Sequence, residues 1–394
     1  MISEKIVKQI VTNYGTPAYI FDLAELSKRI LDIRKILGKN IALCYAMKAN
    51  PFLVPYIEPL VDKFEVCSPG EYFICKKENI KTEKIVMSGV YKSAEDIENT
   101  FKDNFGGTYT IESLRQYELL AEYSKEKECR INVIIRLTSG NQFGMDEKDI
   151  CKIISEANNN KFLKITGIHF FSGTQKKNVD VLQKELEELD MFCEYLDKSY
   201  GFKVDVIEYG PGLFFDYFSK KDENYDDIKY LKELLKCYEE KHQFTIELGR
   251  YLSASCGQYV TTVVDIKTNK DRNYCLVDGG IHQLNYHGQM LGVKVPPVRV
   301  LRTKNGKSKK KIWNVCGALC TVHDVLLKNY ETDDISMGDI FIFDDAGAYS
   351  VTEAPFMFLS RELPQILVVD ENDNIVLIRK QMPTYYINSQ DERR

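Results

Sequence analysis

Lys48 closes an apolar run, Ile41-Ala42-Leu43-Cys44-Tyr45-Ala46-Met47, and is followed by Ala49-Asn50-Pro51. An ammonium group at the end of such a run either reaches for solvent along its own alkyl stem or attacks a carbonyl and forms a Schiff base. Glu247, at the end of Phe244-Thr245-Ile246-Glu247, is a lone carboxylate that can pair with Arg250 or face a ring nitrogen. His169 lies within the apolar run Ile168 to Phe171, where a packed core histidine and a catalyst look alike. Gly210-Pro211-Gly212 is a turn or a phosphate cradle, since glycines let backbone N–H groups approach an anion closely. A lysine, a phosphate cradle and a carboxylate together describe a site for pyridoxal 5′-phosphate. The carboxylate would keep the pyridine nitrogen protonated and make the ring an electron sink.

These residues must be positioned by the elements that carry them. Eight short β-branched runs alternate with longer helical patterns: IALCYAMKA, KFEVC, KIVMSG, TYTI, INVIIRL, KITGIHFF, VDVIEYG and FTIELG. Helices are expected over 179–200, stopped by Gly201, and from about Asp226 to Lys241. Eight β/α units are the count of a (β/α)₈ barrel, whose active sites sit at the C-terminal ends of the strands. Lys48, Cys67-Ser68, Ser88-Gly89, Arg136, His169 to Thr174, Gly210 to Gly212 and Glu247 to Arg250 all fall at those ends. After Arg250 the runs QYVTTVVDIK, NYCLVDGG, KIWNVCG, DIFIFDD and QILVVD read as strands. The expected organisation is a barrel over 23–250 and a mainly-β domain built from 1–22 and 251–394, with TPAYIFD as its first strand.

Bulk composition narrows the function classes. A net charge of −5 offers no broad basic surface, so nucleic acid is not an expected partner. The basic cluster Lys307 to Lys311 reads as a solvated hairpin tip, and Asn388 to Arg394 as a loose tail. Eleven cysteines, an odd number, make no disulfide framework. No apolar run approaches the roughly 20 residues of a membrane span, and the first residues do not read as a signal peptide. A cytoplasmic protein with no membrane partner is expected.

The ordered motifs resemble those of the fold-type III pyridoxal phosphate enzymes, the ornithine/diaminopimelate/arginine decarboxylases, with alanine racemase as a distant cousin. Thr16 to Asp22 resembles the family's first strand, and Tyr45-Ala46-Met47-Lys48-Ala49-Asn50 its lysine motif. Gly167 to Gln175 is similar to G-x-H-x-H-x-G-S-Q. Gly210 to Gly212 stands at the glycine triplet, Glu247 to Arg250 at E-P-G-R, Val315 to Asp324 at G-P-x-C-x-x-x-D, and Ala346 to Tyr349 at G-A-Y. The resemblance implies that Lys48 holds the cofactor and Glu247 pairs with its ring nitrogen. Gly212, Gly249 and Arg250 would bind its phosphate, helped by Gly210 and Ser172. His169, Phe171, Arg136 and Tyr349 would complete the cofactor site. Cys320 would come from the second subunit of a homodimer with shared active sites and protonate the carbon left by CO₂.

Three positions depart from the family. Phe171 replaces a histidine that stacks on the ring. Thr321 follows Cys320 where an acid receives a distal amine, and Tyr286 stands where an arginine grips a distal carboxylate. Thr321, Tyr286 and Asp324 are therefore the candidate substrate-binding residues. The expected reaction is pyridoxal phosphate-dependent α-decarboxylation of an amino acid, small or carrier-linked, with a neutral or conjugated distal end. A racemase shares the lysine and the short loop after Arg136, but sets an arginine against the ring nitrogen, where this chain has Glu247. A non-catalytic binding homologue is the third reading, which the retained Lys48 and Cys320 oppose. No metal is expected; a zinc site of Cys316 and Cys320 with His282, His287 or His323 is the minor alternative.

Overall fold

The computed structural model describes residues 2–157, 160–219, 224–303 and 309–390. The chain divides into two compact units. One comprises Arg29–Phe214 and Glu223–Tyr251; the other comprises Met1–Lys28, Phe215–Asp222 and Leu252–Arg394.

The first unit is a closed barrel of eight parallel strands: β2 (Ala42–Ala46), β3 (Lys63–Val66), β4 (Ile85–Met87), β5 (Thr108–Ile111), β6 (Ile131–Leu137), β7 (Leu163–Phe171), β8 (Val206–Gly210) and β9 (Gln243–Leu248). Closure comes from β9 pairing with β2, which sets Glu247 opposite Cys44 and Leu248 opposite Tyr45. Each of the eight runs seen in the sequence is one of these strands. Serine side chains start several of the intervening helices. Ser68 accepts from Glu71 N at 3.2 Å, Ser113 accepts from Gln116 N at 3.2 Å, and Ser93 forms a reciprocal capping box with Asp96. Helix Asp180–Tyr200 ends where Gly201 turns left-handed, with φ 61°. Helix Asp226–Lys236 is shorter than its apolar pattern suggests. Residues 237–241 tighten into turns, with Cys237 N donating to Leu234 O and Lys241 N to Tyr238 O, before Gln243 N joins Asp205 O and starts β9.

The second unit contains a nine-stranded sheet. Its main path runs β14 (Val325–Thr332), β13 (Lys311–Cys316), β11 (Arg272–Val277), β10 (Gly257–Asn269), β1 (Ala18–Asp22), β16 (Gln365–Val369), β17 (Ile375–Arg379). β15 (Ile340–Phe343) pairs with β10 and with β12 (Val298–Leu301). β1 is antiparallel to β10 and parallel to β16. Helix Glu4–Tyr14 lays Ile6, Val7 and Ile10 on Ile20, Val260, Ile342 and Leu367. Each such aliphatic side chain stabilises by about 1.5–3 kcal/mol when fully buried.

Lys307 and Ser308 of the basic cluster, and residues 391–394 of the tail, lie outside the described residues. Lys311 opens β13 and pairs with Asp334 at 2.7 Å, while Asn388 Nδ2 donates to Ser360 Oγ at 3.0 Å. All eleven cysteines are free. Among the described residues, no helix is long and apolar enough to cross a membrane.

Candidate active site

The barrel strands alternate inward and outward side chains, and their inward faces and ends bring four polar side chains together. Lys48 Nζ donates to Glu65 Oε2 and lies 3.7 Å from Glu247 Oε1 and 3.7 Å from Cys67 Sγ. On the far side of Glu247, His169 Nε2 donates to Oε2 at 3.2 Å. Lys48, Glu247 and His169 were legible in the sequence; Glu65 was not.

Charge balance assigns different tasks to the two carboxylates. Burial alone would raise Glu247, but the Lys48 ammonium and the His169 ring hold it down at about 2, so it stays an anion. Burial and the charge of Glu247 raise Glu65, with Lys48 opposing. Glu65 is thus the better proton acceptor of the two. A lysine must be neutral to attack a carbonyl, and Glu65 is the adjacent base that can take its proton. The Cys67 thiol, half-buried and beside Glu65, is pushed far up by desolvation and that carboxylate, which leaves it inert as a nucleophile.

Glycine positions form a cradle that side chains would fill. Gly212 has φ +61°, and a Cβ there would stand 1.9 Å from Gly173 O. At Gly210 a Cβ would meet the Phe171 ring at 2.6 Å, and at Gly249 it would press on Ala49 and Ala46 at 3.1 and 3.2 Å. Arg250 is buried at the start of helix Arg250–Ser253, directly after Gly249. Packing that close tolerates only glycine at these three positions, and glycine-rich turns are the kind whose backbone N–H groups can bind an anion. A lysine, a buried anion and closely packed glycines, all at the carboxyl ends of barrel strands, fit pyridoxal phosphate.

Two of the expected cofactor contacts have protein partners in the barrel. Ser172 Oγ donates to Glu185, a buried hub that also receives Lys176 at 2.8 Å and the Tyr209 hydroxyl at 2.6 Å. Arg136 Nη1 donates to Glu112 Oε2 at 3.1 Å, and its guanidinium lies 4.8 Å from the Phe143 ring centroid. Breaking such a buried pair from one side costs about 3–5 kcal/mol, so Arg136 braces β5 and β6. Nearby, buried Lys92 donates to Gly89 O at 2.6 Å and Gln116 Oε1 at 3.2 Å, and burial lowers it to about 8.

The remaining candidates belong to the sheet unit. Asp324 is buried and accepts from Leu319 N at 2.7 Å and Ile281 N at 2.9 Å. It therefore shapes the loop 316–324 rather than offering a free carboxylate, and it leaves Cys320 and Val322 exposed on that loop. Thr321 Oγ1 lies 3.3 Å from His323 Nδ1. Tyr286, 1% exposed, donates its hydroxyl to Asp344 O at 2.5 Å. Both Asp324 and Tyr286 thus do structural work where substrate contact was expected. Tyr349, half-buried, sits at φ +64° and accepts from Thr352 N and Glu353 N. Among the described residues, Cys316, Cys320, His282, His287 and His323 supply no three ligand atoms that converge, so the zinc alternative has no site.

The family described as pyridoxal-dependent decarboxylase, pyridoxal binding domain, matches residues 23–254. The L-glutamyl-[BtrI acyl-carrier protein] decarboxylase of Niallia circulans is 25% identical, over 95% of this chain and 93% of the relative. The diaminopimelate decarboxylase of Aquifex aeolicus is also 25% identical, over 97% and 93%. The crystal structure of diaminopimelate decarboxylase from M. jannaschii with L-lysine superposes with a TM-score of 0.85 at 22% identity, covering 98% of this chain and 94% of the other.

Proposed function

Because this chain belongs to the pyridoxal-dependent decarboxylases and is a carboxy-lyase that uses pyridoxal 5′-phosphate, we propose that its substrate is an amino acid with a neutral or conjugated distal end. The cofactor, when bound, supplies the electron sink into which the bond to the α-carboxylate breaks. Lys48 would hold it, with Glu65 taking the proton that Lys48 must shed. Glu247, oriented by His169 Nε2, would keep its charge beside the ring nitrogen. Gly210, Gly212, Gly249 and Arg250 would receive the phosphate, with Phe171 against Gly210 closing one wall and Tyr349 adding a contact. Cys320 of the partner subunit in a homodimer would deliver a proton from Sγ to the α-carbon. Eleven free cysteines fit a reducing, cytoplasmic setting.

The observation that carries the substrate reading is the chemistry at the two distal positions. Thr321 offers a hydroxyl that already faces His323, and the Tyr286 hydroxyl is spent on a backbone carbonyl. Neither supplies the anion that a distal ammonium requires or the donor fork that a distal carboxylate requires. An amide, a citryl adduct or an aminoacyl group on a carrier protein needs neither. The carrier-protein relative from Niallia circulans is consistent with that class. Glu247 argues against racemisation, because an anion beside the ring nitrogen strengthens the sink that expels CO₂.

The test is CO₂ release from a panel of free and conjugated amino acids. Free meso-diaminopimelate is expected to turn over with kcat/KM below about 10⁴ M⁻¹s⁻¹, and a conjugated amino acid well above it. Efficient turnover of free diaminopimelate, lysine or ornithine would refute the substrate assignment and leave the decarboxylase class intact.

A further inference from the structure

Glu208 is buried in the barrel, fully enclosed, and both of its carboxylate oxygens lack a hydrogen-bond partner. It stands on β8 with Val206 and Gly210, while the alternate residue Tyr209 turns outward to Glu185. In register it lies level with His169 on β7 and Thr245 on β9, two residues before Glu247. One ligand-type atom from each of Glu208, His169 and Glu247 falls within 4.8 Å of the others. His169 Nδ1 is likewise buried without a partner. No cation forms an ion pair with Glu208 among the described residues.

Such a carboxylate, ionised, would be an uncompensated buried charge, which proteins avoid by taking up a proton. We propose that Glu208 is a positioning residue for Glu247: it stands as the neutral carboxylic acid beside His169 and leaves Glu247 the sole anion of that trio. Losing that proton puts a second negative charge against Glu247.

The groups that act on Glu208 come from several strands. Burial is the largest influence and raises the carboxyl to about 7. His169 on β7 and Lys63 on β3 pull it down, and Glu247 on β9 and Glu65 on β3 push it up. Cys44 on β2 also feels it, but burial holds that thiol protonated. The consequence reaches Lys48. Once Glu208 ionises, its charge adds to that of Glu247 beside Lys48, so Lys48 holds its proton more tightly and is slower to attack a carbonyl. This consequence rests on the decarboxylase reading; the proton on Glu208 does not.

The experiment uses the full chain freed of cofactor. In protein labelled with ¹³C at the glutamate carboxyl carbon, one resonance is expected to titrate near neutrality, apart from the rest, and to vanish in Glu208→Gln. Thermal stability gives a second readout with a defined sign. Between the ordinary carboxyl range and about pH 7, the folded chain keeps a proton that the unfolded chain releases, so wild-type stability falls as pH rises through that window. Glu208→Gln lacks that loss, so its Tm should exceed wild type at pH 8 by several degrees more than at pH 5. Added pyridoxal phosphate should develop its visible chromophore at least about threefold faster in Glu208→Gln than in wild type at pH 8, and at similar rates at pH 6. If no carboxyl resonance titrates near neutrality in wild type, or the Tm difference is the same at both pH values, the proposal is overturned. Should Glu208→Gln fail to fold, Glu208→Asp carries the assignment, and a near-neutral glutamate resonance that persists in it overturns the proposal. A failure to release CO₂ from any amino acid would strike the decarboxylase reading without touching the proton on Glu208.

Discussion

Lys48→Ala protein will bind pyridoxal phosphate without holding it covalently and will lose at least about 10⁴-fold in decarboxylation rate. The size of the loss follows from what the side chain does in the barrel. Lys48 is the cation set between Glu65 and Glu247 among the described residues. Removing it deletes the nucleophile and also leaves two buried carboxylates without their shared counter-ion. Glu65 should then hold a proton over a wider pH range, because the charge that opposed its raised affinity is gone. Borohydride reduction checks the assignment directly: wild type becomes covalently labelled, Lys48→Ala does not. A reducible chromophore in the variant would move the covalent role to another lysine, with buried Lys92 the first to examine. Mixing this variant with Cys320→Ala also tests the shared site. If Cys320 serves the neighbouring subunit, heterodimers regain one intact site each, and a mixture of two inactive proteins becomes active. No recovery under proven subunit exchange would return Cys320 to its own subunit's site or remove it from the chemistry.

Glu247→Gln should reduce decarboxylation by about 10²–10³-fold while the cofactor remains bound. The amide keeps the shape but carries no charge, so under the proposed role the ring nitrogen would lose the anion that keeps it protonated. It can also present an N–H to His169 Nε2 where an acceptor stood, which disfavours the present hydrogen bond. The pH profile separates this role from simple packing. Glu247 is held at about 2, so in wild type it contributes no acid limb at ordinary working pH. Its charge supports the fold above the ordinary carboxyl range, and that support is lost only as pH falls toward 2. Steady-state rates and cofactor absorbance from pH 5 to 9 on both proteins would show it. Wild-type turnover in Glu247→Gln would overturn the electrostatic role and reopen the racemase reading.

The chain displayed some of this plainly. Eight β-branched runs with glycine or polar residues at their ends were enough for the barrel, because parallel strands buried on both faces read as nearly continuous apolar runs. Lys48, His169, Gly212 and Glu247 stood out because each interrupts or ends such a run. Glu65 and Glu208 hid in the same way that they function. In KFEVC and VIEYG a single acid among apolar neighbours looks like an ordinary polar position, and only barrel closure shows that it faces inward. β12, β14 and β17 were missed for a different reason. Their sequences mix charges with apolar residues, as in VLLKNYET, and take their strand form from their partners. Asp324 and Tyr286 carried a motif-based expectation of substrate contact, but pattern does not reveal that a backbone amide or carbonyl has claimed the side chain. The family's distal anchors could be found absent from sequence alone; the use made of their replacements could not.

The position of β1 has a consequence for how the protein is made. Tyr19, Ile20 and Phe21 are completely buried between β10 and β16, whose paired residues begin at Gly257 and Gln365. The ribosome therefore releases this strand long before either neighbour exists, and the whole barrel emerges in between. Until β16 arrives, an apolar strand with at least one unpaired edge waits in the open, the kind of segment that pairs with other chains. Translation that stops before Gln365 would deliver every barrel strand and Cys320, yet leave the N-terminal strand without its parallel partner. The sheet unit thus closes its central seam only after every barrel strand has been synthesised, and its assembly is bound to be a long-range event.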